Sequence, residues 1–98
     1  MGTRLFDQYT YLHFCTGAIA YFWGFSFLSW FLIHTAFEIF ENTKIGMNII
    51  NNFSFWPGGK PQADSLCNSI GDTIGAMLGW ASSYIICSIG SKENWYTF

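Results

Sequence analysis

The sequence predicts an all-α integral membrane protein, a helical hairpin of two transmembrane helices joined by a partly interfacial aromatic loop. The chain is 51% hydrophobic and only 10% charged, whereas soluble domains average about 25% charged residues. The charges also leave two long gaps, between Asp7 and Glu38 and between Asp72 and Lys92. About 20 apolar residues suffice to cross the hydrocarbon core of a bilayer, so each gap predicts one span.

The first gap predicts a spanning helix over about residues 11–41. Its centre, residues 14–33, contains no charged residue and is rich in phenylalanine. Gly17 and Gly24 fall inside this run, and we expect the helix to continue through both because glycine is common in membrane helices. One long helix is therefore the expectation for this part of the chain.

The middle of the chain, about residues 46–63, predicts a partly interfacial loop. It is too apolar for a free linker and too short to span, and it contains closely spaced proline and glycine residues that favour turns. We expect Asp64 or Ser65 to cap a second spanning helix over about residues 65–89, followed by a short tail at 90–98. The whole chain is then one multi-pass membrane unit.

The second helix carries glycine at every fourth position, at Gly71, Gly75 and Gly79. Small residues at this spacing let another helix approach closely in lipid. We call these three residues the glycine stripe and predict that it packs helix against helix.

Polar side chains fall on one face of each predicted helix. Three of them follow one another at i, i+4 and i+7 near the end of the first helix, and three at i, i+4 and i+8 at the start of the second. If the hairpin closes, both sets lie at the same depth, near the loop-side boundary of the hydrocarbon. The predicted polar cluster comprises His34, Glu38, Glu41, Asn42, Asp64, Asn68 and Asp72.

The cluster admits three interpretations. It is a structural network that fixes helix register, a divalent metal site, or a contact for lipid headgroups. Imidazole and carboxylate ligands suit hard and borderline divalent cations, and the metal candidates are Glu38, Asp72 and His34. A divalent cation is the one cofactor that this pattern admits. Ionisable residues at this depth are a functional hypothesis by default, but no spacing marks Cys67 and His34 as a catalytic dyad, so the sequence leans against an enzyme.

Composition also limits the partners. Four basic residues cannot form a basic patch, which argues against nucleic acid. The three cysteines have neither the CxxC nor the Cys/His spacing of a zinc module. The predicted partners are the lipid bilayer and either other membrane subunits or further copies of the chain.

Two motifs resemble a known group of proteins. The pattern HxxFExxEN at residues 34–42, followed by DSxxNSxGDxxGxxxG at residues 64–79, resembles small polytopic bacterial membrane proteins that are distantly similar to the VanZ-like (teicoplanin-resistance) group. The resemblance covers about residues 31–80. It implies an integral membrane helical fold and a paired-acid motif, without a settled activity. This chain is shorter than those proteins, which favours a reduced, structural version.

Two functions follow as expectations. The first is a structural or accessory role, with the glycine stripe packing the chain into a larger membrane assembly such as a virion membrane or an organellar complex. The alternative is a VanZ-like membrane protein whose carboxylate, histidine and asparagine side chains bind a divalent cation or a lipid headgroup.

Overall fold

The computed structural model describes residues 3–53 and 63–95, and these residues form four α-helices and no strand. The all-α class is therefore confirmed for the described part of the chain. The helices are α1 (Gln8–Phe22), α2 (Phe27–Glu41), α3 (Lys44–Asn51) and α4 (Leu66–Lys92). The start of α4 is capped by Ser65, whose hydroxyl accepts the Asn68 N–H at 3.1 Å.

The prediction of one continuous helix over residues 11–41 is wrong, because the chain turns back between α1 and α2. Gly24 has a φ of +91°, a conformation that residues with a Cβ rarely adopt. Ser26 then begins α2, and its hydroxyl accepts the Ser29 N–H at 3.1 Å. The conformational freedom of Gly24 serves a turn between two helices of 15 residues each.

The direction of α1 is parallel to that of α4. The Phe14 carbonyl lies against Gly79, and the Ser83 hydroxyl donates to the Ala18 carbonyl at 2.8 Å. Residue numbers therefore rise together along this contact. The close partner of α4 is a parallel helix, not the antiparallel one that a simple hairpin predicts.

The antiparallel neighbour of α4 is α2. Trp30 Nε1 donates to the Ala76 carbonyl at 3.2 Å, and the Asp64 N–H donates to Asn42 Oδ1 at 2.8 Å. The start of α1, the end of α2 and the start of α4 therefore meet at one end of the bundle. Because α1 and α2 contact α4 much more than they contact each other, a cleft remains between them.

The glycine stripe lies against the backbone of the N-terminal segment. A Cβ built at Gly79 would overlap the Phe14 carbonyl oxygen, and one built at Gly17 would overlap the Ala76 carbonyl oxygen. Side chains at these positions would push α1 away from α4. The neighbours of the stripe are, in order, the Leu5 carbonyl for Gly71, Thr10 for Gly75 and the Phe14 carbonyl for Gly79. The stripe is thus occupied by the same chain.

The third helix, α3, occupies the beginning of the predicted loop. Thr43 caps it by accepting the Gly46 N–H at 3.0 Å, and the helix buries Ile50 while Ile45 stays exposed. The remainder of the predicted loop, residues 54–62, lies outside the described residues. At the other boundary α4 continues to Lys92, so the first residues of the predicted tail are helical.

The interior of the described chain is polar and its surface is apolar. Large side chains such as Trp23, 77% exposed, and Leu66, 78% exposed, lie on the outside. Within the described ranges the buried apolar residues are Ala20, Ile50 and Ala76, and the buried polar residues are Thr10, His34, Glu38, Glu41, Asn68, Asp72 and Ser83. This is the reverse of the distribution in a soluble domain, where charged residues are almost never fully buried unless paired.

Of the described helices, α4 alone is long and apolar enough to cross a membrane, with 27 residues and a mean hydropathy of 1.3 over its most apolar window. α1 and α2 have 15 residues each, or about 22 Å at 1.5 Å per residue. Each is shorter than the ~20 residues that a span requires. The helix lengths therefore do not support the prediction of a second span.

Candidate functional site

Most of the buried polar side chains lie at the end of the bundle where α1 begins, α2 ends and α4 begins. We call this region the polar end. It comprises Asp7, Thr10, His13, His34, Glu38, Glu41, Asn42, Asp64, Asn68 and Asp72.

A capping box places the first residues of α1 against α4. The Asp7 carboxylate accepts the Thr10 N–H at 3.2 Å, and the Thr10 hydroxyl accepts the Asp7 N–H at 3.0 Å. The same hydroxyl donates its proton to Asp72 Oδ1 at 2.9 Å. From α4, Asn68 Nδ2 donates to the Arg4 carbonyl at 2.7 Å and to Asp7 Oδ2 at 3.1 Å. These bonds fix the rotation and height of α1 at the polar end.

His13 projects from α1 between α2 and α4. Its Nε2 lies 3.3 Å from Asp72 Oδ2, and its Nδ1 lies 2.7 Å from His34 Nε2. Glu38, one turn after His34 on α2, places Oε2 3.9 Å from His13 Nδ1 and 4.0 Å from His34 Nε2. Three helices therefore contribute nitrogen and oxygen donors to one small volume.

The contact between the two imidazoles restricts their tautomers. In a hydrogen bond between neutral rings, one nitrogen carries hydrogen and the other accepts it. If His13 Nε2–H donates to Asp72, then His13 Nδ1 accepts from His34 Nε2–H. His34 Nδ1 then holds a lone pair with no hydrogen-bond partner among the described residues, although the side chain is 2% exposed. Because a buried polar atom without a partner costs about 1–3 kcal/mol, stability alone does not explain this arrangement.

Glu38 belongs to two groups of donor atoms. His13, His34 and Glu38 each present one donor atom, and the three atoms lie within 4.8 Å of one another. Glu38, Asp64 and Asp72 form a second group within the same limit. Imidazole nitrogen and carboxylate oxygen at such spacing are the ligands of Zn²⁺ and Mn²⁺ sites in proteins.

Asn42 holds together the two segments that carry these groups. It is the C-cap residue of α2, and its Nδ2 donates to the Glu38 carbonyl at 2.8 Å. Its Oδ1 accepts the Asp64 N–H. Asn42 thereby positions the end of α2, with Glu38, against the start of α4, with Asp64.

The cleft between α1 and α2 has a volume of about 570 Å³ and reaches the polar end. Ile19 and Ile33 belong to its apolar walls, while His13, His34 and Asp72 line it at the polar end. Concave sites with apolar walls and a few convergent polar groups are typical of ligand-binding sites.

The structure places the predicted site residues in three settings. The donor groups contain His34, Glu38, Asp64 and Asp72. Glu41 is buried beside the cleft, and Asn42 and Asn68 hold backbone segments in place. Cys67 is exposed on α4, whereas His34 is buried.

The first part of α1 is missing from the predicted cluster although it supplies His13. A sequence signal for it exists, since Asp7, Thr10, His13, Gly17 and Ala20 follow one another at intervals of three or four residues. Small and polar residues at this spacing are typical of a buried helix face in an otherwise apolar run. Treating the uncharged stretch between Asp7 and Glu38 as one long apolar helix leaves this periodicity unnoticed.

Comparisons of the chain with protein-family models, with curated proteins and with solved structures give no match.

Proposed function

We propose that this chain is a small integral membrane protein whose polar end binds a divalent transition-metal ion through His13, His34 and Glu38. The observation that carries the proposal is the convergence of two imidazole nitrogens and one buried carboxylate from two helices, with a second carboxylate placed behind one of the imidazoles.

The membrane part of the proposal is supported by the distribution of side chains. Ionisable residues inside a membrane face the interior of the bundle, and apolar side chains face lipid. Glu38, Glu41 and Asp72 are buried here while large apolar side chains are exposed on every helix. The 27 residues of α4 are sufficient to cross the bilayer.

The spacing of the three donors supports a metal. Their separations are 2.7, 3.9 and 4.0 Å, whereas the edges of a tetrahedral zinc site with bonds of 2.0–2.1 Å are about 3.3 Å. Shifts of roughly half an ångström in side-chain position convert one arrangement into the other. A cation would replace the hydrogen bond between His13 and His34 and leave both rings as neutral ligands.

The surroundings of His13 also fit a ligand. A metal-bound histidine commonly donates its second ring N–H to a carboxylate, which orients the ring and raises its basicity. Here His13 Nε2 faces Asp72 at 3.3 Å, and Asp72 is itself held by the Thr10 hydroxyl at 2.9 Å. Three protein ligands leave one tetrahedral position for a further ligand, and the histidine ligands border the cleft.

The metal is tested by titrating the full chain, purified in mild detergent, with Zn²⁺ in a calorimeter. We expect saturable binding that weakens more than about 100-fold in His34→Gln, since losing a direct ligand exceeds the 10–100-fold effect of outer-shell changes. Glu93→Gln, an exposed acid at the opposite end of α4, is the matched control and should bind as the unchanged chain does. Far-UV circular dichroism verifies that each variant keeps its helices. No binding, or equal binding by His34→Gln, contradicts the metal site.

The membrane assignment has its own test. After expression, we expect the chain to stay in the membrane pellet through alkaline carbonate extraction and to need detergent for release. A compact particle that dissolves without detergent contradicts it.

A second candidate function is the binding of a lipid headgroup, favoured by the cleft. Its apolar walls lead directly to His13 and Asp72, so a lipid tail and its headgroup could occupy the two parts together. Native mass spectrometry of the detergent-purified chain would then show one retained lipid, which Ile33→Trp in the wall would displace. The accessory-subunit role and the VanZ-like resemblance stay predictions. Because α1 covers the glycine stripe, any contact with other membrane subunits would use a different surface of the chain.

A further inference from the structure

We propose that α1 and α2 form a re-entrant membrane hairpin, whose turn at residues 23–26 lies among the lipid acyl chains of the leaflet opposite the polar end. The inference rests on the membrane part of the proposed function and extends it. In this arrangement α4 crosses the bilayer, whereas α1 and α2 enter it from the polar end and return there. The partner of the turn surface is the lipid hydrocarbon.

The contacts of the turn place it well before the end of α4. Trp80 Nε1 donates to the Phe25 carbonyl at 2.8 Å, and the Trp80 ring packs edge to face against the Phe27 ring, with centroids 5.3 Å apart. The start of α2 is therefore level with Trp80. From there α4 continues to Lys92, about 12 residues further, or roughly 18 Å at 1.5 Å per residue.

The register of α1 leads to the same result. The Ser83 hydroxyl bonds the Ala18 carbonyl, so in this parallel contact Phe22, the last residue of α1, is level with about residue 87 of α4. The fourth helix extends about five residues beyond that level, or roughly 8 Å. The turn as a whole therefore lies roughly 8–18 Å short of the end of α4.

A bilayer of ordinary thickness then covers the turn. No charged residue lies between Asp72 and Lys92, so the hydrocarbon core extends along α4 nearly to Lys92. Because the core is about 30 Å thick, or about 20 residues of helix, its midplane falls about ten residues earlier, close to Trp80. The turn therefore lies between the midplane and the far headgroups.

The side chains of the turn region fit hydrocarbon. Phe22, Trp23 and Leu28 are 65–77% exposed, and they lie in the middle of the uncharged stretch between Asp7 and Glu38. Exposed apolar patches of this kind mark sites of membrane or protein interaction. The position of the turn beside the apolar part of α4 favours lipid as the partner.

The backbone of the turn provides an independent argument. Because lipid offers no hydrogen bonds, non-helical backbone at membrane depth must be satisfied by the protein itself. The N–H groups of Trp23, Gly24 and Phe25 donate to carbonyls of α1 at 3.1–3.2 Å. The Phe25 carbonyl accepts from Trp80 of α4, a bond that water supplies in an ordinary surface turn.

The test is the reaction of single cysteines with a membrane-impermeant maleimide, in inverted and in right-side-out vesicles from expressing cells. The three native cysteines are first replaced by alanine in the full chain. Reporters are then introduced singly at three exposed positions, as Trp23→Cys in the turn, Lys44→Cys after α2 and Glu93→Cys after α4. Circular dichroism verifies that each variant keeps its helices.

We expect Lys44→Cys to react in one kind of vesicle and Glu93→Cys in the other, because α4 crosses the bilayer between them. Trp23→Cys should react in neither kind until detergent is added. Its reaction in intact vesicles of either kind places the turn in water and overturns the hairpin, while the proposed function stands. If Lys44→Cys and Glu93→Cys react in the same kind of vesicle, α4 does not cross, and both the membrane assignment and this inference fail.

A second measurement keeps the native cysteines. In lipid nanodiscs, we expect Trp23→Arg to lower the midpoint of thermal unfolding by at least about 5 °C relative to Trp23→Phe, because a charge within hydrocarbon is costly. Equal midpoints would show that this side chain is in water, which also overturns the hairpin.

Discussion

The two ends of the contact between α1 and α4 differ in the side chains that surround the glycine stripe. Around Gly79 the helices touch backbone to backbone, and the Ser83 hydroxyl reaches the Ala18 carbonyl directly. At the polar end the space between helices is filled by His13, whose ring contacts residues of both α2 and α4. Glycines allow close approach at both ends, at Gly71 and Gly75 as well as at Gly79, but long ionisable side chains lie beside the contact at the polar end. The difference shows that the glycine contact positions α1, and that the polar end depends on this position for its geometry.

The two regions also differ in energetic cost. Close packing of glycine backbones gains van der Waals contacts and desolvates no charge. The polar end buries Glu38, Glu41 and Asp72, groups that are expensive to remove from water. A region that costs stability is the better candidate for function, whereas the glycine region is explained by packing alone. Substitutions in the glycine region should therefore lower the free energy of unfolding, whereas substitutions at the polar end should mainly weaken metal binding.

The largest effect is expected from Gly79→Leu. A side chain at Gly79 overlaps the Phe14 carbonyl, and because backbone cannot move aside as a side chain does, we expect a loss of about 3 kcal/mol or more. Thermal unfolding in detergent, followed by circular dichroism, measures it. Leu78→Phe adds volume at the neighbouring exposed position and should change the midpoint little. Equal midpoints for both variants would show that α1 does not pack on the glycine stripe.

The next effect is on binding. Asp72→Asn removes the charge behind His13 Nε2 but keeps the shape of the side chain, so we expect Zn²⁺ affinity to fall about 10–100-fold. The melting temperature should change much less than in Gly79→Leu. Glu41→Gln, a buried acid of the polar end outside both donor groups, should reduce affinity less. An unchanged affinity in Asp72→Asn would remove this residue from the site.

A smaller effect is expected at the turn that returns α2 to the polar end. Gly24 has φ of +91° and a Cβ there would contact nothing within 4 Å, so Gly24→Ala tests backbone strain without a steric clash. We expect a loss of about 1 kcal/mol in unfolding free energy. Gly24→Asn should lose less, because asparagine tolerates positive φ better than alanine. A stabilised Gly24→Ala variant would indicate a continuous helix through residue 24.

The smallest effect is expected at Ser83. Its hydroxyl bonds the Ala18 carbonyl of α1, and interhelical hydrogen bonds of this kind contribute about 0.6 kcal/mol in membrane proteins. Ser82 provides a matched control, because its hydroxyl bonds the Gly79 carbonyl of its own helix at 2.7 Å. Ser83→Ala should therefore lower the unfolding free energy and Ser82→Ala should leave it nearly unchanged. A reversed order would place α1 on a different face of α4.

Part of this structure can be predicted from the spacing of residues along the sequence. The four-residue repeat of Gly71, Gly75 and Gly79 indicates a close helix contact, and the i, i+4 spacing of His34 and Glu38 places both on one face of α2. The turn at Gly24 cannot be predicted from residue spacing. Glycine in an apolar run is compatible with a membrane helix and with a left-handed turn, and the choice depends on whether the following segment packs back onto α4.

Composition and helical periodicity suffice to specify helices, their polar faces and a glycine contact surface, because these depend on neighbours within one or two turns. The partner of each face is decided by the tertiary fold. Folding back at Gly24 makes α1 the parallel and α2 the antiparallel neighbour of α4. It also brings His13 beside His34, 21 residues away along the chain. No local pattern encodes that distance, since it results from the way three helices share one packing surface.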